Sequence, residues 1–349
     1  MTNKSSTPTI AASVCLRVVP GVDVGRPIRA AVLSNPLGGF NQRRRNMDKV
    51  RRAVGAFSAP HIEVSAPADV FAAVRGLIDD GTELLVINGG DGTIQMALTA
   101  LFSGEPFATS PLLAVVAGGT SNTIPGDIGW MKRPPEAIRT VLAAAQRGRL
   151  DGHLAERSVM RIESSRWTQP MCAMQFSAGA IYNAIKFAKS AVEGRGAHGQ
   201  AGPAVTVAWF ILNVITGRAK DLFPPLHLAG TIDGMALRGG EHLGIVATTL
   251  DHLFLGIRPF WGEGPGRVRY TALGYRPRHL LRALLPALRG EQGRFVTPAN
   301  GYESRNAENL VLEIDGGFTL DGELFEAAPG TIVTVSAPVS AYFLRAGAP

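Results

Sequence analysis

The chain has 349 residues, of which 46% are hydrophobic and 18% charged, and its formal net charge is +7. This apolar content excludes a disordered protein, and the length exceeds what one hydrophobic core usually serves, so we expect two domains. The positive net charge allows contact with the phosphates of a nucleotide, a nucleic acid or an anionic membrane, but it does not indicate which of the three is bound. Two separated cysteines, Cys15 and Cys172, exclude a disulfide framework or a zinc site and favour a reduced, cytoplasmic protein.

Residues 1–27 show little periodicity and are predicted to form an irregular leader. Its polar start, residues 1–8, is not followed by the apolar core of a signal peptide. The longest apolar run, residues 201–217, contains a glycine and a proline and falls short of the roughly 20 residues that span a bilayer. We therefore expect a cytoplasmic chain, and peripheral contact with the inner membrane surface stays open.

From residue 28 onward, short apolar strands alternate with helices. Strands are predicted at residues 28–33, 84–87 and 112–117, and helices at 43–54, 69–79 (capped by Asp69), 94–102 and 136–146. This alternation predicts a doubly wound parallel α/β domain over residues 28–150.

After residue 150 the pattern changes to short strands separated by glycine, proline and polar turns. Strands are predicted at 158–163, 171–176, 242–248, 268–272, 310–314 and 331–335. They indicate an antiparallel, β-rich, sandwich-like domain over residues 151–349, whose last strands pack back toward the cleft.

Residues 88–93 read Asn-Gly-Gly-Asp-Gly-Thr and join a predicted buried strand to a predicted helix. Glycines let backbone N–H groups approach a phosphate, and the helix N-terminus adds partial positive charge. Thr93 is predicted to cap the helix and also offers a hydroxyl. Asp91 would repel a bare phosphate, so it indicates a magnesium ion between carboxylate and phosphate, or a proton-accepting role. On spacing alone, a tight turn without a ligand is the alternative.

Two further glycine-rich loops follow predicted strands. Residues 117–122 read Ala-Gly-Gly-Thr-Ser-Asn, and residues 35–39 read Asn-Pro-Leu-Gly-Gly, with arginines at 43–45 just beyond. The carboxyl ends of parallel strands share one rim, so three such loops indicate a polyanionic ligand. The arginines alternatively form a solvated helix face. None of the loops is a P-loop or a G-x-G-x-x-G fingerprint.

Together these motifs resemble the diacylglycerol kinase catalytic domain, which is shared with sphingosine and ceramide kinases and, more distantly, NAD kinases. Residues 89–93 resemble its GGDGT signature, 119–122 its G-T-x-N loop, 35–39 its N-P-x-S-G loop and 320–323 its L-D-G-E motif. Asp127-Ile128-Gly129 stands where the family often has an acidic residue and then Leu-Gly. The motifs occur in the family's order, and the similarity spans residues 28–345.

The resemblance implies ATP in a cleft between the two domains and transfer of its γ-phosphoryl group to a lipid hydroxyl. It also implies the residues that hold ATP and magnesium (Mg²⁺), with Asp91 on the metal. By position these are Asn35, Gly38, Gly39, Ser65, Gly89, Gly90, Asp91, Gly92, Thr93, Thr120 and Asn122.

Asp321 and Glu323 match the acidic pair from which the family draws a proton acceptor. An alcohol is a poor nucleophile, and a positioned carboxylate can take its proton as the new bond forms. Two residues apart on a strand, both side chains would face the same side. We expect Glu323 to be the base, Asp321 its orienter or a metal contact, and Asp91 a third catalytic residue. Alternatively, Asp321-Gly322 only forms a hairpin turn.

The sequence also departs from the family. Gln95-Met96 stand where Asn-Glu is usual, Leu37 stands for a serine, and residues 261–266 keep only one carboxylate, so we expect no structural magnesium there. A nucleotide-binding protein without kinase activity, or a kinase of a sphingoid base or NAD, therefore stays open.

No helix-turn-helix or finger pattern supports a nucleic-acid partner. The acceptor lipid stays open, and so does a homodimer.

Two apolar segments are candidates for contact with a membrane or a lipid. One helical stripe carries Leu280, Leu281, Leu284, Leu285 and Leu288, adjoined by Arg278, Arg282 and Arg289. This pattern is typical of a helix that lies on an anionic bilayer, and equally of a core helix with one solvent-exposed edge. Pro286 argues against an uninterrupted helix. Residues 205–215, with Trp209 and Phe210, would line an acyl-chain groove or form ordinary core.

Overall fold

A computed structural model describes residues 26–104, 110–150, 154–193, 224–237 and 240–346. Nearly all of the predicted leader, and the apolar segments 201–217 and 205–215, lie outside the described residues. The boundary between domains near residue 150 stays a prediction. The helices are α1 Arg44–Gly55, α2 Pro67–Asp79, α3 Asp91–Phe102, α4 Thr123–Ile128, α5 Pro134–Arg147, α6 Ala180–Glu193 and α7 Leu280–Arg289.

The first four strands form the parallel part of the structure. They are β1 Ala30–Ser34, β2 His61–Glu63, β3 Leu84–Gly89 and β4 Leu112–Ala117. The order is β2-β1-β3-β4, and every neighbouring pair is parallel. One face packs against buried residues of α2 and α3, and the other against α1 and α5. Apolar residues fill both faces because the strands are covered on both sides, as the sequence predicts.

The remaining strands pair mainly in antiparallel fashion. They are β5 Leu154–Ser164, β6 Met171–Ala173, β7 Gln175–Gly179, β8 Leu226–Ile232, β9 Met235–Ala236, β10 Gly240–Thr248, β11 Val268–Gly274, β12 Tyr302–Ala307, β13 Asn309–Leu320 and β14 Glu323–Leu344. β7 and β8 lie end to end between β10 and β13. The predicted single strand at 171–176 is thus two short strands with different partners.

The last strand joins the two parts of the fold. β14 pairs with β13 and β5 along most of its length, and near its end Phe343 pairs in parallel with Leu113 of β4. The indole N–H of Trp130 donates to the carbonyl of Leu344, at 2.8 Å. Hydrogen bonds therefore connect fourteen described strands in one sheet. The sandwich-like arrangement of the antiparallel part stays a prediction.

Three local expectations about helices are wrong. α2 begins at Pro67 rather than with Asp69 as its cap, because proline fits the first helical position, where no N–H partner is needed. α3 begins at Asp91, so Thr93 lies within its first turn and Gly90 occupies the cap position. α7 continues through Pro286, whose missing N–H removes one hydrogen bond without ending this short helix.

Cys172 is a free, buried thiol, and burial raises the pKa of that thiol to about 12. It is therefore a poor nucleophile in the folded protein. Among the described helices, none is long and apolar enough to cross a bilayer.

Candidate active site

Backbone hydrogen bonds tie the three glycine-rich loops together at the carboxyl ends of β1, β3 and β4. The N–H of Asn35 donates to the carbonyl of Asn88, at 2.9 Å. The N–H of Gly118 donates to the carbonyl of Gly89, at 3.0 Å, and the N–H of Phe40 donates to the carbonyl of Gly118, at 3.1 Å. The predicted common rim is therefore one connected surface.

Side chains of the predicted nucleotide residues brace this rim. The Asn35 amide donates to the Thr93 hydroxyl, at 3.0 Å, and its carbonyl oxygen accepts from the N–H of Leu37, at 2.8 Å. Asn122, in the left-handed region with φ 52°, accepts from the N–H of Gly119 at 2.8 Å and donates to its carbonyl at 3.0 Å. The bond between Asn35 and Thr93 joins two of the loops, and the other bonds fix the conformation within a loop.

The loops approach one another too closely for side chains at the predicted glycines. A Cβ at Gly119 would lie 2.4 Å from Cα of Gly90. At Gly38 and Gly39 a Cβ would lie 3.0 Å from the Gly118 carbonyl oxygen and from the Thr120 hydroxyl, respectively. The 2.4 Å approach to a backbone atom requires glycine at position 119, whereas the approaches at Gly38 and Gly39, to a backbone oxygen and a side-chain hydroxyl, are tight. The rim is therefore built largely of peptide groups.

Asp91 is buried and has a structural partner that the sequence did not reveal. Its Oδ1 accepts from the N–H of Ile124 and its Oδ2 from the N–H of Thr123, both at 3.0 Å. Asp91 thereby caps α4. Burial raises the pKa of its carboxyl, these N–H groups oppose the rise, and the charge of Glu323 adds to it. The predicted metal and proton-accepting roles of Asp91 stay predictions.

Asp321 and Gly322 form a two-residue hairpin turn. Their φ angles are 48° and 86°, and Leu320 pairs with Glu323 across the turn. Asp-Gly favours such turns because both central residues need positive φ. The expectation that Asp321 and Glu323 share one face of a continuous strand is therefore wrong.

The Asp321 carboxylate points back into the protein. It accepts from the N–H groups of Gln175, at 2.7 Å, and Met174, at 3.1 Å. The residue as a whole is partly exposed, but its carboxylate is withdrawn from water. Burial raises the pKa of this carboxyl well above its usual value; the charges of Asp91 and Glu323 add to the rise, and the two N–H groups oppose it. Asp321 thus anchors the turn to the junction of β6 and β7.

Glu323 reaches the first turn of α3. A Cβ built on Gly92 would lie 2.8 Å from Oε1 of Glu323. Its other oxygen, Oε2, accepts from Nζ of Lys189 on α6, at 2.9 Å. The Glu323 side chain is 53% exposed, so a substrate can reach it. Our sequence reasoning missed Lys189, since a lysine on a helix carries no signal of its own.

Asp91 comes from a part of the chain far from Asp321 and Glu323, yet the charge of Glu323 raises the pKa of Asp91, and the charges of Asp91 and Glu323 raise the pKa of Asp321. In the part of the chain that the structure describes, no three His, Cys, Asp or Glu side chains form a ready metal cage. Mg²⁺ at nucleotide sites usually keeps several waters and takes one or two carboxylates plus phosphate oxygens. Of these three carboxylates, that of Glu323 is exposed, whereas those of Asp91 and Asp321 accept backbone N–H groups, so magnesium at this group stays a prediction.

Other singled-out residues lie apart from this group. Ser65 follows β2, is exposed and makes no side-chain hydrogen bond to any described residue. The arginines at 43–45 are exposed at the start of α1. Gln95 is buried, and its Nε2 has no hydrogen-bond partner within the described ranges.

Asp127 is a buried connector rather than part of the carboxylate group. Its carboxylate accepts from the N–H groups of Asp251 and His252, both at 3.1 Å, and from Arg157 at 3.4 Å. It links α4 to the segment after β10.

Comparison of the chain with known protein families confirms the resemblance that the motifs suggest. Residues 29–151 match the diacylglycerol kinase catalytic domain. The match covers β1 to α5 and contains all three glycine-rich loops. This part of the chain therefore has the catalytic-domain pattern of a kinase family.

Solved structures support the same fold over almost the whole chain. A candidate diacylglycerol kinase from Bacillus anthracis str. Sterne aligns with a TM-score of 0.62 at 13% identity, covering 92% of this chain and 96% of the other. A second structure of such a candidate from that organism has a TM-score of 0.59 at 14% identity, covering 91% and 97%. A diacylglycerol kinase from the same organism has a TM-score of 0.57 at 12% identity, with coverage of 91% and 97%. No curated protein matches the chain in sequence.

Proposed function

We propose that this protein is an ATP-dependent lipid kinase that transfers the γ-phosphoryl group of ATP to a hydroxyl of diacylglycerol or a related lipid alcohol. The observation that carries the proposal is the position of Glu323. Its exposed carboxylate lies against Gly92, in the first turn of α3, where the GGDGT segment leads into that helix. A proton acceptor thus lies beside the place where that loop would hold phosphates.

The rim suits the phosphates of ATP. Peptide groups and the N-terminus of α3 favour negative charge there. The residues that would hold the nucleotide are Asn35, Gly38, Gly39, Ser65, Gly89, Gly90, Gly92, Thr93, Thr120 and Asn122. Magnesium would lie toward Asp91 and its neighbouring carboxylates and would offset phosphate charge in the transition state.

Glu323 fits the role of general base better than Asp321 does. The Asp321 carboxylate is occupied by two backbone N–H groups and withdrawn from water. Glu323 is open to an incoming hydroxyl. As the lipid oxygen bonds to the γ-phosphorus, Glu323 takes its proton, and the bridging oxygen leaves with ADP. Lys189 holds the carboxylate in place, and Asp321 fixes the turn that carries it.

The direct test is phosphoryl transfer by the purified full chain with labelled ATP, magnesium and a panel of lipid alcohols, followed by mass spectrometry. We expect label on one lipid class and a fall in kcat of about 10²- to 10⁴-fold in Glu323→Gln. Glu326→Gln is the matched control, because that side chain is 83% exposed on the same strand. Absence of transfer to every lipid in the panel would overturn the proposal.

A second candidate is a nucleotide-binding protein of this fold without turnover. The observation that favours it is Gln95, buried with its Nε2 unpaired among described residues, where the family has asparagine. Measurable ATP affinity by calorimetry, without transfer to any acceptor and unchanged in Asp321→Asn and Glu323→Gln, would favour this candidate.

A further inference from the structure

Helix α7 presents two of its leucines to solvent. Leu281 is 70% exposed and Leu285 is 55% exposed, whereas Ala283 is the buried residue of the helix. At about 100° per residue, Leu281, Leu285 and Leu288 share one face of the helix. Leu280, Leu284 and Leu288 are partly buried, so α7 has one packed side and one side with exposed leucines.

A neighbouring turn extends this apolar surface. Leu255 is 62% exposed and lies in the short 3₁₀ turn Phe254–Gly256, with φ 60°. Three residues later, the N–H of Arg258 donates to the carbonyl of Leu288, at 2.9 Å, which places this segment beside the end of α7. We call the side chains of Leu255, Leu281, Leu285 and Leu288 the leucine face.

Arginines surround the leucine face. Residues 276–296 contain five arginines and one acidic residue, a net formal charge of +4. The arginines are exposed, and none forms an ion pair with the described residues: Arg276, Arg278, Arg282, Arg289 and Arg294. The guanidinium groups of Arg282 and Arg294 lie 5.4 and 5.2 Å from the Phe295 ring centroid. Cations that flank exposed leucines are typical of helices lying in the interface of an anionic bilayer.

We propose that the leucine face and its arginines dock this protein on the surface of an anionic phospholipid bilayer. The need for such a surface rests on the proposed function, since the acceptor of a lipid kinase resides in a membrane. The face itself rests on the observed exposure and charge. A second copy of the chain fits it less well, because two such faces would bring like charges together.

The place of α7 in the fold suits this role. Ala283 packs with Val296 and Tyr302, and Tyr302 begins β12, which ends the sheet order on the side away from the parallel strands. Docking at this edge leaves the nucleotide rim free. The arginine heads can reach phosphates while the leucines enter the acyl boundary.

The test is co-sedimentation of the full chain with vesicles of phosphatidylcholine, with or without phosphatidylglycerol. We expect binding to the anionic vesicles, and a drop of at least about tenfold in their partition coefficient when Leu281→Glu and Leu285→Glu are combined, since burying one leucine is worth about that factor. The matched control combines Met131→Glu and Met235→Glu, because these side chains are 60% and 51% exposed elsewhere. Unchanged binding of the leucine variant, or an equal loss in the control, would overturn the proposal.

A charge variant keeps the test decisive if the leucine variant does not fold. Arg278→Gln combined with Arg282→Gln should weaken binding to anionic vesicles by several-fold and reduce its salt dependence, because each basic residue near the surface adds affinity. Equal binding of this variant and the unaltered chain contradicts the proposal. So does a dimer in light scattering that the leucine variant abolishes, because that result assigns the face to a second copy.

A separate readout distinguishes this inference from the proposed function. The leucine variant should keep its kcat on an acceptor presented in detergent micelles and lose activity only on vesicles. If no lipid is phosphorylated but vesicle binding still depends on the leucines, the proposed function fails and the docking surface stands.

Discussion

At the scale of single residues, Gly92 controls where the Glu323 carboxylate lies. Any side chain at position 92 would meet the far end of Glu323 at 2.8 Å. A flexible glutamate can move away, so the conflict costs little stability. It displaces the proposed base, however, and catalysis is sensitive to displacements of about 1 Å.

We therefore expect Gly92→Ala to lower kcat by about tenfold or more while the unfolding free energy changes little. Steady-state kinetics and urea unfolding measure the two effects. Gly76→Ala on α2 is the control, because a Cβ there meets nothing within 4 Å. That variant should keep full activity and gain about 0.5–1 kcal/mol. Equal activity of the two variants would argue against Glu323 as the base.

Asp321 makes a pH-dependent contribution to stability at the same scale. The pKa of its carboxyl is raised in the folded state, so the folded protein binds that proton more tightly than the unfolded chain does. Its contribution is fully present below the ordinary carboxyl pKa and is lost as pH rises through the raised folded value. The stability difference between the unaltered chain and Asp321→Ala should therefore shrink as pH increases.

Urea unfolding of both proteins at several values between about pH 4 and 8 measures this trend. Asp79→Ala removes an exposed carboxylate at the end of α2 and should show no comparable slope. A stability difference that grows with pH would contradict the burial of the Asp321 carboxyl.

At the scale of elements, α4 depends on a residue outside itself. This helix has six residues, and Asn122 at its cap position makes no side-chain cap bond because its amide is bonded to Gly119. The cap comes from Asp91 of α3, which accepts from the N–H groups of Thr123 and Ile124. A helix this short is not stable alone, so Asp91 couples the GGDGT loop to the loop after β4.

We expect Asp91→Ala to lower the unfolding free energy by about 1–3 kcal/mol in the absence of nucleotide and magnesium. Thermal or urea unfolding measures it. Asp69→Ala is the control, because Asp69 lies in the first turn of α2 without a cap bond, and it should change stability by about 0.5 kcal/mol or less. If Asp91 served only as a metal ligand, its removal would leave the metal-free protein as stable as before.

At the scale of the whole molecule, an ionic cluster links the two parts of the fold besides β14. Arg157 on β5 contacts both Asp127 of α4 and Asp251 after β10, and Arg269 on β11 lies 2.9 Å from Asp251. Burial raises the pKa of Asp251, but its hydrogen bond to Arg269 and the charge of Arg157 lower that pKa overall. The side chain of Asp127 is 1% exposed, so loss of its cation leaves a buried charge less well compensated.

Arg157→Met should therefore destabilise the protein by about 1–3 kcal/mol, at the low end for buried pairs because Asp127 keeps two backbone donors. Arg161→Met, on the same strand and paired among the described residues with the exposed Glu163, should cost about 1 kcal/mol or less. Urea unfolding of both variants compares them. A similar loss of unfolding free energy in the two variants would mean that the ionic cluster does not hold the two parts of the fold together.

The local features of this protein follow from neighbouring residues in the sequence. Apolar runs that end in glycines predict β3 and β4 closely and the three loops of the rim, because strand patterning and backbone freedom depend on neighbouring residues. Motif order was enough to indicate the kinase family, whose domain matches residues 29–151.

Which functional groups come into contact is visible in the folded structure alone. It places Glu323 against Gly92, and it brings the Asp321 carboxylate to the N–H of Gln175, 146 residues away in the sequence. It also shows that Asp91 caps α4. It shows, too, that Leu281 and Leu285 of α7 are exposed, although the sequence pattern fits a core helix equally well. The physical reason is that burial and hydrogen-bond partners arise from contacts between distant segments, and these contacts leave no periodic trace in the sequence.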